Sequence, residues 1–131
     1  MGKLILIDTD VLIDIGRKIN LAIASLKRVE EEAVPGISII TQMELMIGCR
    51  NKKEICILED FLQHFEIIGL NETIGNKSVE LLRQYRLSHS LLIADALIAA
   101  TSLTINSPLL TKNQKDYQFI KGLEILSYPY Y

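Results

Sequence analysis

Four branched apolar residues in an unbroken run, Leu4-Ile5-Leu6-Ile7, open the pattern of the chain and stop at Asp8. A run without polar alternation predicts a strand buried on both faces, as in a parallel sheet covered by helices. The spacing then turns helical: Ile19, Ala22, Ile23 and Leu26 share one stripe, closed in solvent by Lys27-Arg28 and Glu30-Glu31-Glu32. Pro35-Gly36 predicts a turn and Ile37-Ser38-Ile39-Ile40 a second strand, after which Thr41 opens a helix through Met43, Glu44, Leu45 and Met46 to Gly48. Ile55, Leu58, Phe61, Leu62 and Phe65 hold a further helical stripe, Glu66 to Leu70 a weak third strand, and Ile74, Leu81, Leu82 and Tyr85 another helix. Leu91 to Ile105 is apolar all round, which predicts a helix buried between other elements and stopped by Asn106-Ser107-Pro108. Leu109-Leu110-Thr111 and Glu124-Ile125-Leu126 supply the last two strands.

This alternation predicts an α/β fold: a mostly parallel central sheet of about five strands with helices on both faces. The length of 131 residues suits one domain, 1–131, with no repeat, linker or low-complexity segment in view. Ile and Leu alone supply 40 positions, which excludes disordered and collagenous classes. The tail Tyr128-Pro129-Tyr130-Tyr131 is expected to plug an edge of the core. Fourteen basic against sixteen acidic residues leave a net charge of -2, so no global positive field draws in a polyanion and any such substrate must be held locally. Cys49 and Cys56, with only two histidines in the chain, do not make a zinc site, and are expected as two buried thiols in a reducing cytosol. Met1-Gly2-Lys3-Leu4-Ile5-Leu6-Ile7-Asp8 is too short for a signal-peptide core, and no apolar run reaches membrane-spanning length, so a cytoplasmic protein is expected.

In open parallel sheets the reactive site lies beyond the carboxyl ends of the strands. Asp8 and Asp10 follow the first strand, Glu44 lies in the helix after the second, Asp95 inside the apolar helix, and Asp116 shortly after the fourth strand. Four of the six aspartates thus fall at this rim. Each has a structural alternative. Thr41-Gln42-Met43-Glu44 fits a capping box, Asp10 is a good N-cap for a helix beginning at Val11, and Asp8 could cap the same helix. Asp95 in an apolar stripe requires either a cation or a buried arginine, with Arg83 and Arg86 nearest. Together the acids would repel one another unless a divalent cation sat among them. Oxygen ligands without His or Cys select Mg²⁺ or Mn²⁺, which do phosphate chemistry by polarising the phosphoryl oxygen and activating water.

Ile5-Leu6-Ile7-Asp8-Thr9-Asp10-Val11-Leu12-Ile13, the helix-borne Glu44, Ala94-Asp95-Ala96-Leu97-Ile98-Ala99-Ala100 and Leu109-Leu110-Thr111-Lys112-Asn113-Gln114-Lys115-Asp116-Tyr117 resemble, in order and spacing, a PIN domain of the VapC toxin type. The resemblance spans nearly the whole chain. It implies a metal-dependent endoribonuclease of a toxin–antitoxin pair, active with Mg²⁺ or Mn²⁺, homodimeric and inhibited by a small antitoxin protein. By the same resemblance Asp8, Glu44 and Asp95 would be the metal carboxylates and catalytic residues. Where many members carry a fourth acid two places after the motif threonine, this chain has Asn113, and Asp116 is the nearest acid and the expected fourth ligand. Asp10 stands where an Asn is frequent. Thr9 and Thr111 would add hydroxyls to the pocket, and Lys112 and Asn113 would contact substrate. Two rival readings remain. Ile7-Asp8-Thr9-Asp10-Val11-Leu12 also resembles the first motif of haloacid-dehalogenase-type phosphatases, with Asp8 as nucleophile. A PIN-like scaffold that binds without cutting would require lost carboxylates, and the three core acids are present.

Overall fold

The computed structural model describes residues 3–131; Met1 and Gly2, which the leader argument included, lie outside the described residues. Five strands form one sheet: β1 (Leu4–Ile7), β2 (Val34–Ser38), β3 (Glu66–Ile68), β4 (Leu109–Leu110) and β5 (Ile125–Leu126). Their spatial order is β3-β2-β1-β4-β5, and every pairing is parallel. Six α-helices connect and cover them: α1 (Thr9–Gly16), α2 (Asn20–Glu32), α3 (Ile39–Ile47), α4 (Lys52–Leu62), α5 (Glu72–His89) and α6 (Ile93–Thr104). A short 3-10 turn, Gln114–Asp116, follows β4.

Successive side chains of β1 point to opposite faces, and the core divides accordingly. Leu6 packs with Ile74, Leu81 and Tyr85 of α5, Ala96, Ile98, Ala99 and Ala100 of α6, Leu109, Tyr117 and Ile120. Ile5 and Ile7 pack on the other side with Val11, Leu12 and Ile15 of α1, Ala22 and Val29 of α2, Leu62 and Leu110. The unbroken apolar run of β1 is thus required by a strand covered on both faces. The tail plugs this second cluster as expected: Tyr128 and Tyr130 pack against it, and Tyr130 N–H donates to Ser25 Oγ at 2.9 Å.

Four local expectations are corrected. Pro35-Gly36 is not a turn but part of β2; the pairing with β3 begins only at Gly36, so the missing Pro35 N–H interrupts no β2–β3 bond. Gly36 lies close against Leu4, since a Cβ there would meet the leucine's terminal methyl at 2.9 Å and the side chain would have to shift. Ile39 and Ile40 are helical, because Ser38 ends the strand and caps α3, its hydroxyl accepting from Ile40 N–H at 3.0 Å. Helix α6 is buried along Ala96 to Ser102 but opens at its start, where Leu92 and Ile93 are exposed. The cysteines are not buried either: Cys49 is half-buried and Cys56 exposed. No helix among the described residues is long and apolar enough to cross a membrane.

Candidate functional site

The amide of Asp8 donates to Leu110 O at 2.9 Å, which fixes this residue where β1 and β4 end side by side. Asp8 itself, rather than Asp10, is the N-cap of α1: its Oδ1 accepts from Thr9 N–H at 2.9 Å. Thr111, the first residue after β4, donates its hydroxyl to Asp8 Oδ2 at 2.8 Å. Asp8 is 6% exposed. Burial is the main cause that pushes its carboxyl up to about 7, the nearby Asp10 and Asp95 adding to it while the Thr111 and Thr9 hydrogen bonds oppose it.

Asp10 sits half-buried in the first turn of α1. It accepts from the backbone N–H groups of Lys112 (3.4 Å) and Asn113 (3.2 Å), so it staples the segment after β4 to α1. Burial raises its carboxyl as well, against these hydrogen bonds and the Lys112 charge. Glu44 is not in a capping box, since Ser38 caps α3 and Thr41 is buried within the helix. Its Oε1 instead accepts the Thr9 hydroxyl at 2.6 Å, and the Thr41 hydroxyl lies 3.0 Å from the same Thr9 oxygen.

Asp95, in the first turn of α6, has no ion pair among the described residues. Arg86 is engaged elsewhere, donating to the carbonyls of Ser90 (3.3 Å) and Leu91 (3.1 Å). The partner of Asp95 is Tyr117, whose hydroxyl lies 3.2 Å from Asp95 Oδ1 and 3.3 Å from Asp8 Oδ1, so one proton serves two carboxylates. Burial raises the Asp95 carboxyl; the Tyr117 bond opposes this, while Asp116, Glu44 and Asp10 add to it. The Tyr117 hydroxyl is pushed far above its ordinary value by burial and by the two acids, so it remains a donor. Asp116 is exposed on the 3-10 turn at the edge of this group.

The structure therefore brings Asp8, Thr9, Asp10, Glu44, Asp95 and Thr111 into one hydrogen-bonded and electrostatically coupled neighbourhood, with Asp116 at its border. Lys112 and Asn113 join it through their backbone, because the Lys112 ammonium pairs with Asp14 instead, at 3.0 Å. Three participants escaped the sequence reading. Tyr117 bridges the acids and directly follows Asp116, a position whose burial the sequence does not announce. Thr41 was read as a cap. Asp14, one helical turn past Asp10, is 4% exposed and also accepts from the Tyr128 hydroxyl at 2.9 Å. Burial would raise its carboxyl, but Lys112, Tyr128 and Arg17 outweigh this and hold it below its ordinary value. Among the described residues, no group of three or more His, Cys, Asp or Glu side chains is arranged to hold a metal ion as it stands.

A parallel sheet whose central strand β1 ends in Asp8, coupled there to carboxylates from the adjoining helices, defines an α/β protein with an acidic, oxygen-only site at its carboxyl edge. The PIN domain profile matches residues 5–121, and the chain belongs to the PIN domain family. It is 38% identical over 125 residues to Ribonuclease VapC1 of Methanocaldococcus jannaschii, a match covering 92% of this chain and 85% of that protein. A toxin-antitoxin complex from Klebsiella pneumoniae contains a chain 32% identical, with a TM-score of 0.76 over 95% of this chain and 97% of that one. VapBC2 from Rickettsia felis, bound to a DNA fragment from its promoter, reaches a TM-score of 0.81 at 24% identity over 95% and 98% of the two chains, a likeness of fold. The haloacid-dehalogenase-type reading finds no support: the family is PIN, and both carboxylate oxygens of Asp8 are held by the cap, Thr111 and Tyr117.

Proposed function

We propose that this chain is a divalent-cation-dependent endoribonuclease, the toxin of a toxin–antitoxin pair acting on RNA in the cytoplasm. The observation that carries the reading is the coupling of Asp8 and Asp95 across one tyrosine hydroxyl, with Asp10, Glu44 and Asp116 adding charge and the Lys112 ammonium paired with Asp14. Carboxylates so placed carry a deficit of positive charge. Their donor set is oxygen alone, which fits Mg²⁺ or Mn²⁺ and not a soft ion. Asp8, Glu44 and Asp95 would hold the cation, with Asp116 as the fourth acid, after side-chain rotation draws them together. A cation bound there polarises a phosphoryl oxygen and lowers the pKa of water.

The chain's own groups do the positioning. Thr9 N–H and the Thr111 hydroxyl fix the Asp8 carboxylate, the Thr9 hydroxyl orients Glu44, and Tyr117 sets the spacing of Asp8 from Asp95. The staple from Asp10 to the amides of Lys112 and Asn113 holds the segment that carries Asp116 toward the rim. The partner reading is supported by the relatives named above and by exposed apolar side chains, among them Ile47, Ile57 and Leu92. An antitoxin and a second copy of the chain would cover such surface.

The test is incubation of the purified chain with structured RNA in Mg²⁺, in Mn²⁺ and in EDTA. Cleavage only with the cation, leaving 5′-phosphate ends, is expected. Equal cutting in EDTA, or 2′,3′-cyclic phosphate ends, would overturn the reading. Co-expression with the neighbouring gene's product should relieve growth arrest and yield a complex whose mass, by light scattering, includes two toxin chains.

A further inference from the structure

An exposed aromatic plane stands beside the two segments that carry Asp95 and Asp116. His89 is the last residue of α5, exposed, and its ring stacks on Phe119 with centroids 4.2 Å apart and planes 12° apart. Tyr85, 9% exposed, meets both rings edge-on, at 5.9 Å from His89 and 5.2 Å from Phe119. The Ser88 hydroxyl lies 2.7 Å from His89 Nδ1, and Tyr85 is itself anchored, its hydroxyl accepting from Lys121 N–H at 3.1 Å. The imidazole is thus held in one orientation by three neighbours and yet left in solvent. Exposed side chains held this firmly have lost rotamer entropy without burial in return, and in a binding surface the same rigidity lowers the cost of taking up a ligand.

The position of the plane ties it to the acids. From His89 the chain turns through Ser90, in the left-handed conformation at φ 57°, and enters α6, whose first turn bears Asp95. Phe119 lies two residues beyond Tyr117, the residue that bridges Asp8 and Asp95, and three beyond Asp116. Several other aromatic rings are committed, while Tyr131, in the tail, is 85% exposed. Phe61 and Phe65 pack edge to face with each other, Tyr117 is 1% exposed, and Tyr128 and Tyr130 are bonded to Asp14 and Glu32.

We propose that the His89–Phe119 stack is a nucleobase subsite, on which an unstacked base of the RNA substrate lies while its phosphodiester reaches the acids. The inference rests on the ribonuclease reading and adds a recognition element to it. A net-acidic chain without Trp gains little from coating phosphates, whereas stacking is indifferent to net charge and to base identity. Such a subsite selects single-stranded or splayed nucleotides over continuous helix.

The test compares the parent, His89→Ala and His89→Phe in steady-state cleavage of a single-stranded RNA with Mn²⁺, alongside melting curves. His89→Ala is expected to raise KM about tenfold, the size of one lost base stack, with kcat and melting temperature little changed, and His89→Phe to restore KM. In an Asp95→Asn background, where cutting is slow, a short RNA carrying 2-aminopurine should be quenched on binding and should lose that quench when His89→Ala is added. A parent that cuts RNA and a His89→Ala variant with the same KM and quench would overturn the subsite alone. So would a variant whose only change, by light scattering, is its oligomeric state, which would make this corner a protein interface. A parent that neither cuts nor binds RNA would overturn the ribonuclease reading and the subsite with it.

Discussion

Replacing Asp8 by Asn should make the cation-free protein more stable at alkaline pH and less stable at acid pH. The Asp8 carboxyl is pushed from 3.8 to about 7 by burial first, then by Asp10 and Asp95. That shift corresponds to about 4 kcal/mol of preference for the neutral form in the fold. Between the two values the folded chain keeps a proton that the unfolded chain has released, so stability falls as pH rises through this window. The whole penalty is present above about pH 7 and absent below about pH 4. Asn is neutral throughout and remains an N-cap. It cannot accept at two oxygens, so the pairing of Thr111 with Oδ2 must reverse or be lost, at a cost of about 1–2 kcal/mol. The balance is a gain of about 2 kcal/mol near pH 8 and a loss of about 1 kcal/mol near pH 4.5.

Over 131 residues the alkaline gain amounts to about 7 °C in melting temperature. Thermal and urea unfolding of the parent and Asp8→Asn, both in EDTA at the two pH values, reads this directly. The parent should lose more stability from acid to neutral pH than the variant, which still carries the raised carboxyls of Asp10 and Asp95. An Asp8→Asn variant that is weaker than the parent by the same amount at both pH values would refute the argument, because it would make the carboxylate a net structural asset instead of a strained charge.

Three further outcomes follow from the same geometry. Millimolar Mn²⁺ should raise the melting temperature of the parent by ligand linkage and do little for Glu44→Gln or Asp95→Asn; an undiminished response in both variants would remove them as ligands. Tyr117→Phe deletes the donor that opposes the rise of the Asp95 carboxyl, so the acid limb of the pH–rate profile should move to higher pH, and an unchanged profile would deny the bridge its role. Asp14→Asn should lower stability by about 1–2 kcal/mol at neutral pH because Lys112 loses its charged partner. That difference should shrink as acid protonates Asp14 in the parent, whose carboxyl lies below its ordinary value.

Strands β1 and β4 were legible because a strand buried on both faces must be an uninterrupted apolar run, and nothing else in the chain uses Leu4 to Ile7 or Leu109-Leu110 that way. The α2, α4 and α5 stripes were legible for the matching reason at helical period. Boundaries failed where two codes overlap. Pro35-Gly36 is ordinary turn chemistry until tertiary packing of Gly36 against Leu4 claims it for a strand, and Ile39-Ile40 is β-branched yet follows a serine that caps. For the site, positions at the ends of strands could be collected from the order of elements, which is why the acids were found. Tyr117 could not, since a tyrosine beside a surface acid looks the same whether it faces solvent or two carboxylates.

The segment after β4 shows how the backbone completes what side chains begin. Thr111 gives its hydroxyl to Asp8, and the next two residues give their amides to Asp10. The staple therefore depends on Asp10 and not on the identity of residues 112 and 113, so Asn113 serves it through its backbone, and on the proposed reading the fourth acid would be Asp116. The Lys112 ammonium, which still lowers the Asp10 carboxyl, pairs directly with Asp14, held in turn by Tyr128 from the tail. Asp14 and the tail thus hold the Lys112 ammonium in a direct pair outside the group of acids around Asp8 and Asp95. If the site holds a divalent cation as proposed, a polyanion would approach it together with that cation, and substrate binding itself, not the chemical step alone, is expected to depend on the ion.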